Sequence, residues 1–184
     1  SFALGANLWE LPASANAPSI LATLLGQLPT GKIFLSVGTL EPRKHFMQAL
    51  LAFEDLWARQ IDVNWVLVGR EGWTQLPADQ RQEILMLVQR IQAHPEKNKR
   101  LFWLNDLQDE SLVQLYAHSN CLLSTSLGEG LGLPLLEAAQ YRLPMLLRDL
   151  PVFREVAGEH ASYFNANTPE GLALAIESWL NLKD

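Results

Sequence analysis

The chain contains the stretch Glu129-Gly130-Leu131-Gly132-Leu133-Pro134-Leu135-Leu136-Glu137, which joins an apolar run to a helical one. The apolar residues 121–124 predict a buried strand before it, and residues 134–141 predict a helix after it. Pro134 suits the first helical position, because its missing N–H would have no helical partner there. The glycines before it let the backbone turn sharply and let a ligand approach the main chain. The stretch therefore predicts a strand, a tight turn and a helix in succession.

The same passage predicts a binding site. The N–H groups at the start of a helix have no partners within the helix, and the helix dipole is positive there, so an anion such as phosphate is attracted. Glu129 and Glu137 flank this position. Carboxylates would repel a phosphate, so we expect them to bind hydroxyl groups beside it, and phosphate with hydroxyls indicates a nucleotide sugar. The structural alternative is that the glycines serve only a tight turn and that Glu137 lies on the helix surface.

Strands and helices alternate along the chain. Predicted strands cover residues 33–37, 63–68, 101–104, 121–124, 145–147 and 161–164, and predicted helices cover residues 45–59, 78–93, 109–118, 134–141, 151–156 and 169–182. Because the strands are apolar on both faces, they fit a parallel sheet covered by helices. We therefore predict a doubly wound, Rossmann-like α/β fold, with a mostly parallel sheet of about six strands and helices on both faces.

Composition limits the function classes. The chain has 184 residues, of which 48% are hydrophobic and 18% charged, as in a soluble globular domain with a sizeable core. A net charge of −6 and a pI of about 5.2 argue against nucleic acid as the partner. The single cysteine, Cys121, excludes an internal disulfide and a multi-cysteine zinc site, which indicates a reducing, cytoplasmic compartment. Because the chain begins at Ser1 without a methionine, we expect it to be part of a longer protein.

A second cluster follows the first predicted strand. The stretch Gly38-Thr39-Leu40-Glu41-Pro42-Arg43-Lys44 places two adjacent cations just before a helix. A guanidinium and an ammonium together can neutralise a diphosphate without a metal. Ligands of open α/β sheets bind beyond the carboxyl ends of the strands, where both this loop and the glutamate-flanked loop are predicted to lie. This position favours a functional interpretation over a solvated turn that happens to be basic.

Three segments together carry a family resemblance: the stretch 38–44, the stretch 129–137, and Arg148-Asp149-Leu150-Pro151-Val152-Phe153-Arg154-Glu155-Val156-Ala157-Gly158. In combination they resemble the retaining GT4 glycosyltransferases of the GT-B fold, from about Leu4 to the C-terminus. The amino-acid sequence of these segments is similar to that of bacterial mannosyltransferases of O-antigen or capsule assembly. The resemblance implies that residues 31–184 form the C-terminal, donor-binding lobe of a GT-B enzyme. Residues 1–30 are then a linker and a leading helix from an N-terminal, acceptor-binding lobe that this chain lacks.

The resemblance also implies roles for single residues. Arg43 and Lys44 would hold the donor diphosphate as the leaving group, Glu129 would contact the transferred sugar, and Glu137 would bind the ribose. The implied catalytic residues are Arg43, Lys44 and Glu129, and the implied donor-binding residues are Gly38, Thr39, Trp103, Leu104, Leu107, Gly130, Leu131, Gly132, Leu133 and Glu137. Of these, Trp103, Leu104 and Leu107 would line the base pocket.

The resemblance implies the reaction as well. It is hexosyl transfer with retention, with GDP-mannose as the first candidate donor and a glycan or lipid-linked acceptor of cell-surface polysaccharide synthesis. No cofactor and no metal are expected. The longer protein would work in the cytoplasm at the inner face of the membrane, and the chain alone would bind nucleotide without transferring sugar.

Two other classes remain open. A dinucleotide-dependent oxidoreductase or sugar epimerase would require a Gly-x-Gly-x-x-Gly turn after an early strand, which residues 38–41 do not supply. A non-catalytic module could retain the same fold. Of the remaining polar residues, Thr125 and Ser126 are predicted to form loop hydrogen bonds, and Arg148 is predicted to pair with Asp149 in a turn. The four histidines lack a spacing that indicates a shared metal.

Overall fold

A computed structural model describes residues 31–130 and 132–182 of the chain. The strands are β1 (Lys32–Val37), β2 (Val63–Val68), β3 (Leu101–Leu104), β4 (Cys121–Ser124), β5 (Met145–Arg148) and β6 (Ser162–Phe164). The helices are α1 (Phe46–Ala58), α2 (Gln82–Ala93), α3 (Asp109–His118), α4 (Leu133–Gln140), α5 (Pro151–Ala157) and α6 (Pro169–Asn181), with short 3-10 helices at Pro42–Lys44, Ala78–Gln80 and Gly158–His160. The predictions for residues 1–30 and for Leu131 lie outside the described residues.

The strands form one parallel sheet in the order β3-β2-β1-β4-β5-β6. β1 lies inside the sheet, paired with β2 from Lys32↔Val63 to Val37↔Val68 and with β4 through Phe34↔Cys121. The chain runs outward from β1 through β2 to β3, and then crosses back to β4 on the other side of β1. The direction of winding therefore reverses between β1 and β4. In doubly wound sheets this switch point opens the crevice that receives the ligand.

Side chains of the strands alternate between two cores, because successive residues of a strand point to opposite faces. Phe34 and Trp65 join the core under α1, α2 and α6, while Leu35 and Val66 join the core under α3, α4 and α5. The first core is aromatic: Phe53 stacks on Trp65 with a centroid distance of 5.5 Å. The prediction of helices on both faces is confirmed. Cys121 and the tryptophans at 57, 65 and 179 are buried, as expected for core residues.

The bounds of β2, β3 and β4 are as predicted, whereas the starts of α1, α2 and α4 differ from the prediction. α1 begins at Phe46, one residue later than predicted, because His45 takes a left-handed conformation with φ 56° and ψ 34°. Aspartate is a residue type that caps helices, so the sequence predicts Asp109 as the N-cap of α3, and this prediction is wrong. Gln108 occupies the N-cap without a side-chain cap bond, and Asp109 is the first helical residue. There its carboxylate still faces the positive end of the helix dipole.

Candidate functional site

The two predicted site loops meet at the switch point, because one follows β1 and the other follows β4. The main chains are tied together: the Leu127 N–H donates to the Arg43 carbonyl at 2.8 Å. The Thr125 hydroxyl, which is buried, donates to the Lys44 carbonyl, also at 2.8 Å. The loops are therefore held as one unit, and Thr125 forms the loop hydrogen bond predicted for it.

The Glu129 carboxylate lies between the two cations. Its Oε1 is 2.6 Å from Lys44 Nζ, and its Oε2 is 2.7 Å from Arg43 Nη1. The hydroxyl of Ser126 donates to the same Oε1 at 2.7 Å. Arg43 also pairs with Glu41 at 2.8 Å, and its side chain is 48% exposed, whereas that of Lys44 is 9% exposed. The crevice thus holds a buried ammonium and an open guanidinium, joined by one acid.

Glu129 and Arg43 are both charged at neutral pH. Burial alone would raise the pKa of Glu129, but hydrogen bonds from Lys44, Ser126 and Arg43 outweigh burial, and the pKa is lowered. The hydrogen bond to Glu129 is the main reason that the pKa of Arg43 is raised. Glu129 and Glu41 balance the two cations, so an arriving anion has to draw the cations away from Glu129.

Gly38 gives Lys44 its path into the crevice. A Cβ at position 38 would lie 2.8 Å from Lys44 Cε and 2.9 Å from Nζ, and the residue has φ +152°. Both the space and the backbone conformation therefore require glycine. Thr39, the next residue, is exposed.

The start of α4 forms the other wall of the site. Gly132 is the N-cap residue with φ 67° and ψ 48°, and its carbonyl accepts from the Leu135 N–H at 2.8 Å. Among the described residues nothing lies within 4 Å of a Cβ at Gly130, and Leu133 is 60% exposed. A narrow cleft runs between this turn and the cation loop, which is the stretch 38–44 that carries Arg43 and Lys44. The cleft is lined in part by Lys44, Ser126, Glu129, Gly132, Pro134 and Phe153.

Glu137 lies one turn into α4 and has a partner that sequence reasoning missed. The phenol of Tyr116, on α3, donates to Glu137 Oε2 at 2.6 Å. Burial is the first cause that raises the pKa of Tyr116, so the phenol keeps its proton and donates. Tyr116 also stacks on Tyr141 at 5.8 Å. No local signal links residues 116 and 137, because they come from different helices packed on the same face.

The three residues predicted to line a base pocket separate between the two faces of the sheet. Leu104 and Leu107 pack with the core under α3 and α4, the face that carries Glu137. Trp103 packs with the opposite core, and its indole N–H donates to the Gly69 carbonyl at 2.9 Å. Leu104 and Leu107 are therefore the members of this set on the Glu137 side.

The predicted pairing of Arg148 with Asp149 is wrong. Asp149 instead accepts from Arg154 Nε at 2.7 Å at the surface. Arg148 is the last residue of β5 and is only 4% exposed. The two side chains part because neighbouring residues at a strand end point to opposite sides.

The described part of the chain has neither a cluster of metal ligands nor a membrane-spanning helix. Among residues 31–130 and 132–182, no three His, Cys, Asp or Glu side chains are grouped closely enough to hold a metal ion. Within the same residues, no helix has the length and apolar character needed to cross a membrane.

The fold and the charged crevice agree with the family to which the amino-acid sequence assigns the chain. The chain belongs to the family of glycosyl transferases group 1, whose family model matches residues 25–184. It is similar to the serotype-specific mannosyltransferase WbdA of Escherichia coli, with 44% identity over 182 residues, 99% of this chain and 21% of WbdA. It also resembles the O-antigen chain mannosyltransferase RfbU of Salmonella typhimurium, with 25% identity over 151 residues, 82% of this chain and 39% of RfbU. The chain thus spans about a fifth of WbdA.

Solved structures share the fold. An α,α-trehalose-phosphate synthase (UDP-forming) from Burkholderia vietnamiensis matches with a TM-score of 0.69 and 19% identity, over 87% of this chain and 39% of the synthase. A glycosyltransferase from Rickettsia africae matches with a TM-score of 0.66 and 15% identity, over 84% of this chain and 38% of that chain. The family and the Rossmann-like fold predicted from the sequence are confirmed.

Proposed function

We propose that this chain binds the nucleotide-sugar donor of a glycosyltransferase, as one lobe of an active site whose acceptor side lies elsewhere in a longer protein. The observation that carries the proposal is the meeting of Arg43, Lys44 and Glu129 at the switch point, beside the start of α4. Two cations beside a helix N-terminus suit a diphosphate.

The proposed chemistry is electrostatic. The bond between the anomeric carbon and the phosphate oxygen breaks, and the electron pair leaves with the nucleoside diphosphate. An acceptor hydroxyl held by the other lobe forms the new bond to the anomeric carbon, and its proton passes to the departing diphosphate. Arg43 and Lys44 stabilise the charge that develops on this leaving group, which is most effective in a preorganised site. They supply countercharge from the protein, which supports transfer without a metal. Retention of the anomeric configuration remains a proposal that rests on the family resemblance.

The acids have hydroxyl groups as their proposed partners. When the cations turn to the diphosphate, Glu129 is released to accept hydrogen bonds from the transferred sugar. Glu137 accepts one hydrogen bond from Tyr116, and a carboxylate has further lone pairs for ribose hydroxyls. Leu104 and Leu107 pack on the Glu137 side, which supports a base pocket there.

The proposed donor is GDP-mannose, and the proposed product is a cell-surface polysaccharide of the O-antigen type. The names of WbdA and RfbU, both mannosyltransferases, support the sugar and the pathway. The acceptor is proposed to be a growing glycan or a lipid-linked saccharide. The longer protein is proposed to act in the cytoplasm, at the inner face of the membrane.

Calorimetry tests the donor site by comparing the affinity of the chain for GDP, UDP, ADP and dTDP with its affinity for the corresponding nucleosides. We expect at least one diphosphate to bind, and the double variant Arg43→Ala/Lys44→Ala to lose diphosphate affinity while nucleoside affinity changes little. Arg59→Ala is the matched control, because Arg59 follows the last residue of α1, at the end of that helix away from the cation pair, and pairs with Glu177 at the surface. Equal diphosphate binding by the double variant and the control would place the phosphate site elsewhere.

A further inference from the structure

Arg148 is a buried cation next to the crevice that the proposed chemistry does not use. Its Nε donates to the Thr125 carbonyl at 3.1 Å, and its Nη1 donates to the Ala166 carbonyl at 2.8 Å. Its Nη2 donates to Gln48 Oε1 and lies 3.4 Å from His45 Nδ1. Within the described part of the chain these partners include no carboxylate, so the charge is held by neutral acceptors.

Burying a guanidinium without a carboxylate partner lowers the free energy of unfolding. A buried charge normally has an opposite charge as its partner. Burial lowers the pKa of Arg148, yet a guanidinium stays protonated in proteins. The planar guanidinium reaches acceptors on several sides at once, which a lysine ammonium on a flexible stem does less well.

Two of the partners of Arg148 hold the main chain at Lys44. Thr125 accepts from Arg148 through its carbonyl and donates through its hydroxyl to the Lys44 carbonyl at 2.8 Å. His45 follows Lys44 directly and has a left-handed backbone, which surrounding contacts must maintain. Arg148 therefore acts on both sides of the same peptide bond.

The other partners anchor Arg148 to the rest of the domain. Gln48 lies in the first turn of α1, and its amide donates to the carbonyls of Ala166 and Thr168 at 2.9 and 3.0 Å. Ala166 also accepts from Arg148. The network thus connects β5, the loop after β4, α1 and the loop before α6. These connections restrict the movement of the Arg148 side chain.

We propose that Arg148 is a positioning residue of the diphosphate site. It fixes the Lys44–His45 main chain so that the Lys44 ammonium stays in the crevice, and it adds a positive charge beside that loop. The part of this inference that concerns diphosphate rests on the proposed function.

The test compares Arg148→Met with Arg154→Met in the 184-residue chain. Arg154 is a suitable control, because it lies at the surface with its guanidinium 3.8 Å from the Tyr163 ring and paired with Asp149. We expect Arg148→Met to bind the diphosphate about tenfold more weakly, as small displacements in a preorganised site do, with nucleoside affinity close to that of the wild type. Arg154→Met should leave both affinities close to the wild type.

Two further readouts do not depend on a ligand. Amide hydrogen exchange at Leu127, whose N–H binds the Arg43 carbonyl, should become faster in Arg148→Met and stay unchanged in Arg154→Met. The pKa of His45 is lowered first by burial and then by the Arg148 charge, while a hydrogen bond with Gln48 and the charge of Glu83 act in the opposite direction. In an NMR titration it should rise when Arg148 is replaced by methionine.

The outcomes separate the two proposals. Unchanged Leu127 exchange and equal diphosphate affinity in Arg148→Met and its control would overturn the positioning role. A parallel loss of nucleoside and diphosphate affinity would also overturn it, because that pattern indicates general destabilisation. If Arg148→Met does not fold, Arg148→Lys, which keeps the charge but not the planar fork, is judged by the same criteria. If the wild type binds no diphosphate, the proposed function fails, and Leu127 exchange still decides the positioning role.

Discussion

The ammonium of Lys44 lies 2.6 Å from Glu129 Oε1, and each of the two side chains is only 9% exposed. The acid therefore occupies the place beside the cation that a phosphate oxygen would need. In the proposed function, binding of a diphosphate would exchange one anion for another, and the free energy of binding would be reduced by the strength of the pair that breaks. Glu129 thus has two opposed effects, on the free site and on the occupied one.

Replacing Glu129 by glutamine should strengthen the binding of a nucleoside diphosphate by about five- to tenfold, which corresponds to about 1 kcal/mol. The reason is that the competing negative charge is removed while the shape of the side chain is kept. Calorimetry with the free diphosphate measures the effect. Glu41→Gln is the control, because Glu41 pairs with the half-exposed Arg43 and solvent screens that pair. Weaker binding by Glu129→Gln would contradict the exchange.

The decrease in the free energy of unfolding at acidic pH should also depend on Glu129. Its folded-state pKa is lowered from the ordinary value of 4.5, so its ion pairs stabilise the fold fully above that pH. The contribution is lost as the pH falls from 4.5 through the folded-state pKa. Urea unfolding at a series of pH values measures the free energy of unfolding. The difference between wild type and Glu129→Gln should be constant near neutrality and shrink in acid; a difference that grows in acid would refute the assignment.

Gly38→Ala should damage the site and Gly128→Ala should not. The added methyl at position 38 meets Lys44 Cε at 2.8 Å, in a backbone with φ +152° that alanine rarely adopts, whereas among the described residues nothing lies within 4 Å of a Cβ at position 128. We expect Gly38→Ala to lose more than about 1 kcal/mol of unfolding free energy and most of its diphosphate affinity. Thermal unfolding and calorimetry on both variants provide the comparison. Equal behaviour of the two variants would mean that Lys44 has another path into the crevice.

Tyr116→Phe should lower the free energy of unfolding by about 1–2 kcal/mol, because the charged hydrogen bond to Glu137 is lost from a buried position. The bond joins α3 to α4 at 2.6 Å. Tyr141→Phe, at the ring that stacks on Tyr116, is the matched control and should cost less. Denaturant titration of the two variants decides the point, and a larger loss in Tyr141→Phe would assign the stability to stacking instead.

Short-range patterns predicted most of the fold. The alternation of apolar strands with amphipathic helices was sufficient for a parallel sheet with helices on both faces, and three of the strands have the predicted bounds. The left-handed His45 and the cap at Gln108 were missed. His45 is in contact with Thr125 and Arg148, which are distant in sequence, so no local preference could have predicted its surroundings.

The sequence by itself determined that the cation loop and the glutamate-flanked loop lie at the carboxyl ends of strands, because parallel strands present those ends at one edge. Only the tertiary structure decided which side chains meet there. Lys44 pairs with Glu129, Tyr116 with Glu137, and Arg148 turns inward instead of pairing with Asp149. Turn chemistry and apolar periodicity act over a few residues, whereas the choice of a partner for a charge depends on burial and distance in the folded domain.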